Sequence, residues 1–167
     1  MKFKVPVKHH VRDFYVRNPQ IFGDKGDVRK NSMLGLWVMT VFAHPPAKNS
    51  LDYEFLEVSP LEDNEYVQTE LVMNLTFEIP TKFITDERLI HLGNILETNM
   101  EFFAVGWIRG RLNVLASENA AASEFMIEHQ INNGHITADK FRMMHRRMAE
   151  KGRKAKCAKK VEKSVQK

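Results

Sequence analysis

Ten basic side chains fall between residues 140 and 160: Lys140, Arg142, Arg146, Arg147, Lys151, Arg153, Lys154, Lys156, Lys159 and Lys160. Lysine and arginine at this density do one kind of chemistry well, which is to neutralise a row of phosphates and release their counterions. Arg142 and Arg146 are four residues apart, so on a helix they share a face and repel one another. A bound anion relieves that repulsion. The competing account is local: Lys and Arg near a helix C-terminus also complement its dipole, and a lysine tail solubilises.

The rest of the chain places this cluster in a segregated charge pattern. Residues 1–30 carry eight basic and three acidic residues, a net +5. Residues 31–137 carry five basic and fifteen acidic ones, a net −10, and residues 138–167 carry twelve and three, a net +9. Lys2, Lys4, Lys8, Arg12 and Arg17 read as an auxiliary basic arm. An acidic body between two basic ends attracts a polyanion at the ends and repels it from the middle. The same body could dock a basic protein, or hold the basic tail on itself.

Catalytic patterns are missing. The sequence has no phosphate-cradling glycine loop, no His-Glu-x-x-His, no Cys-x-x-Cys and no Gly-x-Ser-x-Gly. His129, His135 and His145 are spaced six and ten residues apart, which matches no metal motif and reads as helix-surface histidines. His9 and His10 beside Asp13 could pose as a general base, but two solvated residues in a basic arm are the simpler account. Glu62, Asp63 and Glu65 read as a charged loop rather than a cation site. Cys157 sits among lysines that lower its pKa, with no catalytic partner in view. Trp37, Phe42, Tyr53, Phe55, Tyr66 and Phe77 could stack bases, yet Asp52, Glu54, Glu57 and Glu78 beside them repel phosphate, so core packing is the better account. No metal, no cofactor and no catalytic residue are expected.

These residues must be positioned by a chain of 167 residues, 43% hydrophobic and 28% charged, with one cysteine. That length suits one domain with a core that needs no disulfide framework. No apolar stretch reaches the roughly 20 residues a spanning helix needs. The opening residues lack a signal-peptide pattern, since Lys2, Lys4 and Lys8 punctuate them. A cytoplasmic or nucleoid-associated protein is expected, or a nuclear one in a eukaryote, where the basic clusters would suit an import signal.

Met1–Lys8 alternates Phe3, Val5 and Val7 with lysines, predicting a strand that Pro6 confines to a sheet edge. Residues 18–32 read as loop. Met33–Ala43, nearly all apolar, predicts a central strand, and Leu51–Ser59 and Tyr66–Ile79 predict two more. Together they predict an antiparallel β-meander. After Pro80, Thr85 caps a helix running to about Met100, and residues 101–117 fit either a short strand or a helix broken near Gly106 and Gly110. A helix from Glu118 to Asn133 ending at Gly134 is followed by one capped by Thr137, with Ile136 and Phe141 at staple spacing and Phe141, Met144 and Met148 buried. The acidic, amide-rich first helix makes this an αα-hairpin rather than a DNA-reading helix-turn-helix. Residues 151–167 cannot bury enough apolar surface to fold and predict a disordered tail.

The whole reads as a single α+β domain over residues 1–150 with a Lys-rich tail over 151–167. The expected function is non-enzymatic: an accessory or regulatory protein that binds the phosphate backbone of DNA or RNA through its basic C-terminal helix and tail. The alternative is a regulator whose acidic body docks on a partner such as a transcription or translation machine. A small metal-dependent hydrolase or nuclease is the third class.

Overall fold

A computed structural model describes residues 1–42, 68–115, 117–132 and 134–150. It is mixed α+β and divides into two compact units, Met1–Thr98 and one beginning at Asn99. Among the described residues no helix is long and apolar enough to cross a membrane.

In the first unit, β1 (Lys2–Lys8) turns Phe3, Val5 and Val7 inward, as its alternation requires. It pairs antiparallel with β3 (Gln68–Leu75), from Lys2 opposite Asn74 to Lys8 opposite Gln68. The short β2 (Asp27–Val28) runs parallel to β3 on its other side, so among the described residues the order is β1-β3-β2 and β1 is an edge. Pro6 is tolerated there because an edge strand leaves half its N–H groups unpaired by the sheet.

Helices α1 (His9–Arg17) and α3 (Met33–Phe42) add Val11, Phe14, Tyr15, Leu34, Val38 and Phe42 to the buried set. Phe42 meets Phe3 edge-to-face at 5.1 Å, and the Tyr15 hydroxyl donates to the Leu96 carbonyl at 3.1 Å. Helix α4 (Asp86–Arg111) passes so close to β1 that a Cβ on Gly93 would lie 2.3 Å from the Pro6 carbonyl oxygen.

The expected meander is not the fold. Met33–Phe42 is a helix, because Leu34, Val38 and Phe42 recur every four residues on its buried side while Met33 and Leu36 are exposed. Ser32 starts it, its hydroxyl accepting the Gly35 N–H at 3.1 Å. The loop expected over 18–32 contains a four-residue helix, α2 (Pro19–Phe22), and β2. The strand expected at Leu51–Ser59 lies outside the described residues, as do the Glu62–Glu65 acids and residues 151–167.

Residues 101–111 belong to α4, which continues through both Gly106 and Gly110. Each helical glycine costs about 1 kcal/mol relative to alanine, an amount that burial of Met100, Ala104 and Ile108 on one side outweighs. In the second unit, α5 (Glu118–Glu128) and a helix over 138–150, here α6, bring Phe125 and Phe141 together at 5.1 Å.

Helix α5 stops at Glu128, short of the expected Asn133. Gln130 takes the left-handed conformation at φ 51° that was expected of Gly134. Its N–H donates to the Ile127 carbonyl and that of Ile131 to the Met126 carbonyl, which is the paired closure of a Schellman motif. Met126 and Ile131 are both buried, as the motif's apolar contact requires. The connection to α6 is therefore residues 129–137, longer than the tight turn expected. Helix α6 begins where expected, after Thr137, with Ile136 and Phe141 both buried.

Candidate nucleic-acid interface

Helix α6 carries four basic residues, Lys140, Arg142, Arg146 and Arg147, and two acidic ones, Asp139 and Glu150. Its inward side holds Phe141 and His145, with Met144 and Met148 half-buried. Asp139, Met143, Arg146, Arg147 and Glu150 are exposed, and Lys140 and Arg142 are half-buried. Arg146 and Arg147 thus stand side by side near the end of α6 that leads into Lys151, Arg153, Lys154, Lys156, Lys159 and Lys160.

Two of the arginines are already engaged by carboxylates of the same chain. Arg142 pairs with Asp139, three residues earlier on α6. Arg146 Nε donates to Glu118 Oε2 at 2.5 Å, and His145 Nδ1 lies 3.3 Å from Glu118 Oε1. Ser117 fixes Glu118 in the first turn of α5 by accepting the Ala120 N–H at 3.1 Å. The Arg146 hydrogen bond is the main reason the Glu118 carboxyl titrates below its usual range; partial burial works against it and His145 adds a smaller pull. The repulsion expected between Arg142 and Arg146 is relieved inside the molecule.

The five residues of the auxiliary basic arm lie in β1 and α1. Lys4 pairs with Glu70 at 2.6 Å, Lys8 donates to Glu97 at 2.7 Å, and Arg12 reaches Thr69 Oγ1 at 3.2 Å and Asp13 at 3.4 Å. Lys2 and Arg17 are exposed.

The histidines also differ from expectation. His10 is only 1% exposed, not solvated, with Nε2 4.0 Å from Glu97 Oε1. His129 and His145 are 5% and 7% exposed, not surface residues, whereas His135 is exposed. His129 is ringed by Phe103, Trp107 and Phe125 at 5.4, 5.1 and 4.6 Å, and burial lowers its pKa. No group of His, Cys, Asp and Glu among the described residues could hold a metal ion.

Sequence reasoning missed Glu118 and Asp139 as partners of the basic helix. The signal for Glu118 was present: in an antiparallel helix pair, the acidic start of one helix faces the basic end of the other.

One further feature lies on α5. A groove of about 340 Å³ is lined by Ser123, Met126, Ile127, Gln130, Ile131 and Ala138. Ile127 is 76% exposed, and the exposed Glu128 follows it. Comparison with protein-family models, with curated proteins and with solved structures found no match, so the functional reading rests on the geometry and charge of this chain.

Proposed function

We propose that this chain is a non-enzymatic, nucleic-acid-associated accessory protein that binds phosphate backbone through α6 and the basic run over 151–160. The observation that carries this reading is the adjacent, exposed pair Arg146 and Arg147 at the end of α6 that leads into six further basic residues. Contacts of this kind position a protein on the backbone and read no base edges, so sequence preference is weak. Of the auxiliary basic residues, Lys4, Lys8 and Arg12 pair with groups in their own unit, whereas Lys2 and Arg17 are exposed.

The test is salt-dependent binding of the full chain to duplex DNA, single-stranded DNA and RNA. It is compared with a full-length variant in which Lys151, Arg153, Lys154, Lys156, Lys159 and Lys160 are glutamine. Substitution keeps α6 intact; truncation before Phe141 would remove a core residue. Loss of binding in the variant supports the reading, and unchanged binding refutes it.

A second reading, docking on a protein partner through the acidic body, is favoured by the α5 groove with its exposed Ile127 and neighbouring Glu128. Partner binding that survives the six substitutions but is lost in Ile127→Asp would select it.

A further inference from the structure

Glu118 grips two neighbouring residues of α6 at once, Arg146 at 2.5 Å and His145 at 3.3 Å. Asp139 takes Arg142. Both arginines of the i, i+4 pair therefore carry a carboxylate of their own chain. The Arg146 side chain is 51% exposed and that of Glu118 25%, so a phosphate can approach the guanidinium but finds an oxyanion already on it. A separate ion pair, Arg111 with Glu124 at 3.0 Å, ties α4 to α5 and involves neither residue.

Resting on the nucleic-acid reading above, we infer that Glu118 is an autoinhibitory clasp: it occupies Arg146 as a phosphate would, and a polyanion must displace it before α6 contributes its full charge. Its position suits this role. A carboxylate in the first turn of α5 is stabilised by the helix N-terminus even after Arg146 leaves, so opening the clasp does not strand a buried charge. A partly exposed ion pair is also weak enough to be exchanged for a phosphate.

The experiment is fluorescence anisotropy of the full chain with labelled duplex DNA of about 20 base pairs at about 50 mM salt. Glu118→Gln is expected to bind about two- to five-fold tighter than wild type, the range that follows from an exposed ion pair. Glu150→Gln, which removes an exposed charge from α6, controls for net charge and is expected to gain less. Glu118→Asp keeps the charge and the helix-start carboxylate but is one methylene too short, and is expected to tighten binding like Glu118→Gln. This second variant keeps the test decisive if glutamine weakens α5. In the Glu118→Gln/Arg146→Gln double variant the gain relative to Arg146→Gln is expected to vanish.

Equal gains for Glu118→Gln and Glu150→Gln, no gain for Glu118→Asp, or a gain that persists without Arg146 would each overturn the clasp while leaving the nucleic-acid reading standing. Failure of the wild-type chain and every variant to bind overturns that reading itself.

Discussion

Glu118 in the first turn of α5 and Arg146 on α6 are 28 residues apart in sequence and meet at 2.5 Å. The contact joins the start of one helix to the end of its antiparallel neighbour. It pairs a carboxylate of the acidic stretch with a basic residue of α6, so the charge segregation along the chain is partly satisfied within the fold.

Arg146→Gln should raise the Glu118 carboxyl toward its ordinary value near 4.5, followed by carboxyl-carbon NMR. The folded pKa lies below the unfolded one, so the stability that Glu118 contributes is present above 4.5 and lost as pH falls through the lower folded value. Acid denaturation of wild type should therefore be steeper below pH 4.5 than that of the variant.

His129 gives the opposite end of the acid range. Burial among Phe103, Trp107 and Phe125 favours its neutral form, so its folded pKa is below 6.5. Unfolded His129 takes up a proton first, and stability declines as pH falls from 6.5 toward the lower folded value. His129→Phe should flatten that slope in denaturant melts. His91, shifted the same way by burial, leaves a residual slope.

Glycine substitutions along α4 should change stability in opposite directions. A Cβ at Gly106 or Gly110 meets nothing within 4 Å, so alanine at each should stabilise by about 0.5–1 kcal/mol through helix propensity. At Gly93 a Cβ would sit 2.3 Å from the Pro6 carbonyl oxygen, and Gly93→Ala should destabilise by about 1–3 kcal/mol. Thermal unfolding of the three variants tests this.

Gln130→Gly should stabilise α5 by about 1 kcal/mol, because a side chain at φ 51° carries the left-handed penalty that glycine escapes. Amide exchange at the Ile131 N–H, which closes the motif on Met126, should slow in the variant.

The parts of this fold legible in the sequence are those with one clear periodicity. The alternation of Phe3, Val5 and Val7 identified β1, and Thr137 with the Ile136–Phe141 spacing identified the start of α6. Met33–Phe42 misled because a run with almost no polar residues fits both periods, and only the cap at Ser32 pointed to a helix. The end of α5 misled because Gln130, rather than the obvious Gly134, turns left-handed. For the candidate site, composition exposed the density of basic residues. Which of them are occupied depends on carboxylates brought in from other elements, such as Glu118 for Arg146 and Glu97 for Lys8. Those are tertiary facts that spacing along one helix does not encode.

The central claim is phosphate-backbone binding through α6 and residues 151–160, and its most direct test is the salt dependence of full-chain binding to duplex DNA between about 50 and 300 mM. Log affinity should fall linearly with log salt. Glutamine at Arg147 and at the six basic positions of 151–160 should reduce the slope by about 0.9 for each phosphate that the protein no longer neutralises. No binding at about 50 mM salt, or a slope that these substitutions leave unchanged, would contradict it.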